Sequence, residues 1–185
     1  MLAPILAAMI LPGPANSEVY NSLKYGFSVE YPDGLDLVAQ ISASETGMDS
    51  PLAVKFFFPG STVCIGAYEN PDISLEDFAY NIKSKYEDIE DSNYTVVKIG
   101  DMNIGGASAV SMEGILEYAQ SDEKTKIRDV LISNEDTLYQ ISCRSGITDF
   151  NRENRTHFND LINSFQMQGI NDTEEDNLPG FPKKM

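Results

Sequence analysis

Two-residue alternation constrains this chain more than any other feature. In "GFSVEYP" the apolar Phe27, Val29 and Tyr31 alternate with Ser28 and Glu30, the period of a strand with one buried face. Pro32 stops the run and Asp33-Gly34 turns it, because proline donates no ladder hydrogen bond and Asp-Gly suits tight turns. "LDLVAQIS" is then expected to fold back as the return strand. "LAVKFFFP" and "TVCIGAYE" flank Pro59-Gly60-Ser61 and predict a second hairpin. The alternation returns in "YTVVKI", "GASAVSMEGIL", "KIRDVLI" and "TLYQISC", with Ser133-Asn134-Glu135-Asp136 turning between the last two. Gly105-Gly106 opens one of these strands and implies a bulge or a close backbone approach.

Two stretches break that period. Ser74 with Asp77 three residues on has the spacing of a capping box. Leu75, Phe78, Ala79, Ile82, Tyr86 and Ile89 then recur at helical spacing, a stripe that buries one helix face. Glu87, Asp88 and Glu90 crowd its end, where negative charge opposes the helix dipole and predicts that the helix stops before them. A second helix is expected from Thr148 or Asp149, with Phe150, Phe158, Leu161, Ile162 and Phe165 inside and Gly169 ending it. Strands, helix, strands, helix make the fold α+β, an antiparallel β-sheet with helices packed on one core.

The two ends differ from this middle. Residues 1–17, "MLAPILAAMILPGPANS", are apolar to Leu11 apart from Pro4. A helical bilayer span needs about 20 apolar residues. A cleaved export signal is therefore expected, with Gly13-Pro14-Ala15 supplying the small residues of a cleavage site. No Lys or Arg precedes the apolar run, so the alternatives are a true start further upstream or a weak anchor. Residues 18–168 form the single domain, and residues 169–185 an acidic flexible tail. With 29 Asp and Glu against 13 Lys and Arg, the net charge is −16. Such a surface repels phosphate backbones and excludes nucleic acid as a partner. It favours solubility, with cations or basic proteins as natural counterparts.

Chemical motifs are sparse. Cys64 and Cys143 are the only cysteines. An exported protein permits a disulfide between them, while the alternation of Tyr139, Ile141 and Cys143 favours two separate buried thiols. The single histidine, His157, lies beside Phe158 on an apolar helix stripe and reads as an ordinary helix residue, since no GxSxG elbow accompanies it. No GxxxxGK[ST] loop is present to cradle a nucleotide. "DMNIG" shares Asp-x-Asn with a calcium loop but lacks its other ligands. The acidic groups Glu87-Asp88-Glu90-Asp91 and Glu174-Glu175-Asp176 are the places for weak attraction of a divalent cation, with Asp88, Glu90 and Asp91 as metal candidates. Asn93, Asn154 and Asn171 each head a glycosylation sequon.

Taken in order, "YGFSVEYPDG", "ISLEDFAYNI", "IGGASAV", "TLYQISC" and "HFNDLINSFQ" resemble the PsbP-related family over residues 20–165. The resemblance implies an antiparallel sheet sandwiched by helices, an architecture shared with a Ran-binding nuclear import factor. It also implies an extracytoplasmic location and a non-enzymatic character, with no catalytic residue to carry over. The family places Trp after its Tyr-Pro-x-Gly turn; here that position is Leu35, and the chain has no Trp. The function expected is an exported, non-catalytic module that docks on a membrane-associated complex or another extracytoplasmic protein. The alternatives are a weak calcium or manganese binder and a hydrolase built on a carboxylate pair.

Overall fold

The computed structural model describes residues 17–33, 36–39, 52–69, 73–134, 137–150 and 152–167. Among these residues ten strands and two helices follow one another as β1 (Ser17–Ser22), β2 (Phe27–Pro32), β3 (Asp36–Ala39), β4 (Leu52–Phe58), β5 (Ser61–Glu69), α1 (Leu75–Glu87), β6 (Ser92–Ile104), β7 (Ala107–Tyr118), β8 (Lys124–Asn134), β9 (Thr137–Gly146), α2 (Arg152–Ser164) and β10 (Gln166–Met167). The strands form a seven-stranded sheet ordered β3-β4-β5-β9-β8-β7-β6 and a three-stranded sheet ordered β1-β2-β10. Every pairing is antiparallel. None of the described helices is long and apolar enough to cross a membrane. Residues 1–16 of the leader, Gly34, Leu35, the 135–136 turn tip and the tail lie outside the described residues, while Ser17, counted with the leader from the sequence, is the first residue of β1.

The large sheet is covered on both faces. One face meets α1, whose buried Phe78, Ala79, Ile82 and Tyr86 pack on Tyr94, Met112, Leu116, Ile127, Leu131 and Leu138. The other face meets α2 and the small sheet, through Phe158, Leu161, Ile162 and Phe165 with Phe27, Val29 and Tyr31. Phe27 stacks on Phe165 at 5.3 Å, and Tyr139 meets Phe165 edge-on at 5.3 Å. The alternating aromatics of the opening strand thus enter the core, as their period predicts.

Helix α1 starts where the sequence places it: Ser74 Oγ accepts the Asp77 amide at 3.0 Å and donates to Asp77 Oδ2 at 2.8 Å. It ends at Glu87, with Asp88 as its C-cap. The hairpin at Pro59-Gly60 also forms, with Phe58 facing Ser61 and Gly60 at φ 69°.

Three expectations change. The strand after Gly34 does not return on β2; β3 pairs with β4, so Asp36 faces Phe57 and Leu37 faces Phe56. β2 instead takes β1 and β10 as its neighbours. Gly105-Gly106 is a two-residue hairpin turn rather than a bulge. Both glycines have positive φ, 57° and 91°, and Ile104 faces Ala107 across the turn, the backbone that a tight turn between twisted strands requires. Helix α2 spans Arg152–Ser164 rather than starting at Thr148 and running to Gly169. Asp149 and Phe150 first turn on the Gly146 carbonyl, each at 3.0 Å. At the far end, Ser164 Oγ accepts the Glu30 amide at 2.9 Å and donates to the Glu30 carbonyl at 3.1 Å. That clamp hands the chain to β10 beside β2.

The bulge lies eight residues earlier, in β6. Val96 faces Gly114 and Lys98 faces Glu113, leaving Val97 without an opposite residue. One extra residue inverts the two-residue parity. Tyr94 and Val96 therefore join the α1 core, while Met102 and Ile104 join the α2 core.

Candidate binding cleft and the buried polar chain behind it

The inner side of α1 is apolar, but its flank is not. Asn81, Ser84, Lys85 and Asp88 fall at helical spacing along one edge of the helix. They rim an open cleft of about 400 Å³ whose floor is Tyr68, Ile73, Phe78, Ile82 and Leu138. This volume is within the ordinary range for ligand and side-chain pockets. Tyr68 meets Phe78 edge-on at 5.1 Å, which fixes the ring as one wall. Among the described residues of the lining, Asp88 supplies the carboxylate.

Behind that wall runs a chain of polar side chains. Tyr68 donates to Gln140 Oε1 at 2.8 Å, and Gln140 Nε2 donates to Asp129 Oδ1 at 2.8 Å. Tyr86 on α1 donates to the same Oδ1 at 3.2 Å, and Arg144 donates to the Tyr86 hydroxyl at 3.3 Å and to Ser142 Oγ at 3.3 Å. Gln140, Ser142 and Arg144 are alternate residues of β9, so all three point to the α1 face. Register also explains Asp129: it faces Ser142 on one side and Met112 on the other.

Asp129 is fully buried, and its Oδ2 has no hydrogen-bond partner. Burial raises the pKa of its carboxyl, against the opposing pull of Gln140, Arg144, Ser142 and Tyr86. A raised pKa favours the neutral acid, which is the cheaper form to enclose in an apolar layer. With no surface exposed, this acid cannot touch a substrate in the folded protein. What it can do is fix the position of α1 through Tyr86, and with it the shape of the cleft. The Tyr94 hydroxyl is also buried without a partner. Its ring sits 4.8 Å from that of Tyr86 and lies directly over Gly114.

The sequence-level candidates are dispersed. Asp88 caps α1 and rims the cleft, Glu90 is exposed, and Asp91 holds a turn at φ 55° with its carbonyl accepting the Ala119 amide at 2.8 Å. Among the described residues, no three His, Cys, Asp or Glu side chains are grouped to hold a metal ion. His157 stacks on Phe58 at 5.8 Å, an ordinary helix position. Asn103, from the calcium-loop fragment, accepts the Gly106 amide at 3.1 Å and serves the hairpin turn.

Cys64 and Cys143 are both free and buried. Cys64 faces Ser142 while Cys143 faces Val63, so their side chains leave opposite sides of the sheet and no disulfide can join them. Asn154 is buried, donating to the Asp149 carbonyl at 2.7 Å, which bars glycosylation in the folded state. Asn93 is exposed on β6. The polar chain from Tyr68 to Arg144 has no signal in sequence order, because its members come from four separate elements.

No protein-family model and no curated protein sequence matches the chain. Solved structures do. Cyanobacterial PsbP from Synechocystis aligns over 88% of this chain and 98% of its own at 15% identity, with a TM-score of 0.65. The fold is PsbP-like. The Ran-binding protein Mog1p of Saccharomyces cerevisiae aligns over 82% of this chain and 95% of its own at 13% identity and a TM-score of 0.52. LpqN, a Mycobacterium tuberculosis protein involved in cell envelope biogenesis, aligns over 77% and 83% at 12% identity and a TM-score of 0.52. At these identities the PsbP-like likeness is one of fold, and it matches the α+β architecture that the motif order implies.

Proposed function

We propose that this PsbP-like chain is a non-catalytic docking module that works outside the cytoplasm on a membrane-associated protein complex. Its domain occupies residues 18–168, between a leader at 1–17 and an acidic tail at 169–185. The observation that carries the reading is the α1 cleft: an apolar floor with a rim of Asn81, Ser84, Lys85 and Asp88. Such a lining suits a partner's apolar side chain held by a few polar contacts.

The Ran-binding character of Mog1p supports a protein-binding use of this fold, and the envelope role of LpqN supports the location. The apolar residues 1–11 support export. N-terminal sequencing of the mature protein tests it: a start near residue 16 is expected, and a retained Met1 in the cytosol overturns the location. A photo-reactive side chain at Asn81 tests the docking site. It is expected to cross-link one membrane-associated protein that the same group at Tyr118 does not reach. Equal labelling from both positions overturns the assignment to the cleft.

A further inference from the structure

The sheet face opposite α1 carries a local group of cations. Lys98 on β6, Glu113 on β7 and Arg128 on β8 face one another in a single cross-strand row. Adjacent strands lie about 4.8 Å apart, so the two cations stand about 10 Å apart across the row. Lys126 pairs with Glu113 at 3.0 Å and sits 4.3 Å above the Phe150 ring. Arg155 on α2 approaches the same ring at 5.8 Å. Arg128 is aimed by Asn159 on α2, donating at 2.6 Å. Lys98 and Arg155 are exposed, and Lys126, Arg128 and Phe150 are half-buried.

Four of the chain's 13 basic residues thus share one stripe, on a protein whose net charge is −16. The ion-paired carboxylate within the stripe, Glu113, is held below its ordinary pKa: partial burial works the other way, but Lys126, Arg128 and Lys98 outweigh it. At physiological salt the Debye length is about 8 Å, so a nearby ligand feels this stripe more than the distant acids.

We propose that the stripe is a docking surface for an acidic polypeptide segment of a partner protein. The occupant follows from charge and shape. The cations spread from the β6 edge across β8 to α2, which fits successive carboxylates on a peptide better than one compact anion. An aromatic ring flanked by two cations adds an apolar contact within the stripe. An extended polyanion such as a nucleic acid or an anionic bilayer would also meet the surrounding acidic surface and be repelled. The stripe and the α1 cleft lie on opposite faces of the sheet, so neither depends on the other.

The test is fluorescence anisotropy with a labelled deca-glutamate peptide and the full chain, at about 20 mM and 200 mM salt. Binding is expected at low salt, weakening as salt rises. The double variant Lys98→Glu, Arg155→Glu should lose at least about tenfold in affinity, as expected for removing direct charge contacts. The control double variant Lys24→Glu, Lys83→Glu makes the same change in net charge away from the stripe and should lose less than about twofold. Circular dichroism checks that both variants keep the fold. No binding at low salt, or equal weakening by the control, overturns the proposal. So does tighter binding to phosphatidylglycerol vesicles than to the peptide. A carbodiimide cross-link from Lys98 to Glu174 or Glu175 in the isolated chain would also overturn it, by giving the surface to the chain's own acidic segment.

Discussion

Asp129 carries the least expected chemistry of the molecule, an acid enclosed on every side with one oxygen unpartnered. Its folded pKa is raised, so the folded state binds the extra proton in the window above the unfolded value of about 3.9. The stability it contributes is full below that pH and is lost as pH rises through the folded pKa. Asp129→Asn should remove this slope: the melting temperature of the variant is expected to gain on the native protein as pH rises from 4 to 9. A constant difference across that range would contradict the buried-acid assignment. Gly114 gives a sharper steric test, since a Cβ there would overlap the Tyr94 hydroxyl and ring. Gly114→Ala should cost about 1–3 kcal/mol in urea denaturation, the range for overpacking. Gly100→Ala, with nothing within 4 Å of its Cβ position, should change stability by less than about 0.5 kcal/mol. The burial of Phe27, Val29, Tyr31 and Cys143 was legible from alternation. Asp129 was not, because in "KIRDVLI" it reads as one more polar residue in a strand.

At the scale of elements, the β6 bulge decides which core each half of the longest hairpin serves. Tyr94, Val96, Met102 and Ile104 all occupy even positions, and a regular strand would place all four on one face. Deleting Val97 restores that regularity and turns Met102 and Ile104 away from α2. The loss should be roughly 2–4 kcal/mol, from one fully and one partly buried apolar side chain, and chemical denaturation of the deletion variant measures it. Native-like stability would show that the bulge does not set the faces. Helix α1 was legible down to its cap, because Ser74 and Asp77 are local and the apolar stripe is regular. The end of α2 was not. Its clamp is formed by Ser164 with Glu30, 134 residues away in sequence, and Gly169 offered a more familiar stop signal. The glycine pair at 105–106 suits a bulge, a close backbone approach and a tight turn equally until the strands on both sides are known.

For the molecule as a whole, strand order is what local pattern could not supply. The turn at residues 33–34 suggested a hairpin, yet β2 and β3 belong to different sheets. The motif order across the chain carried the architecture that local alternation left open, and it agrees with the fold of the solved cyanobacterial PsbP structure. The resulting body presents a cleft beside α1 on one face and a basic stripe beside α2 on the other. The measurement that tests the docking reading most directly is the affinity of the protein captured from position 81 for the purified chain and for its Asn81→Arg, Ser84→Arg variant. Both positions lie on the rim of the cleft, and neither is in the core. An affinity at least about tenfold weaker, with an unchanged melting temperature, is the result expected of a contacted rim. Equal affinity of the two chains would contradict docking through the α1 cleft.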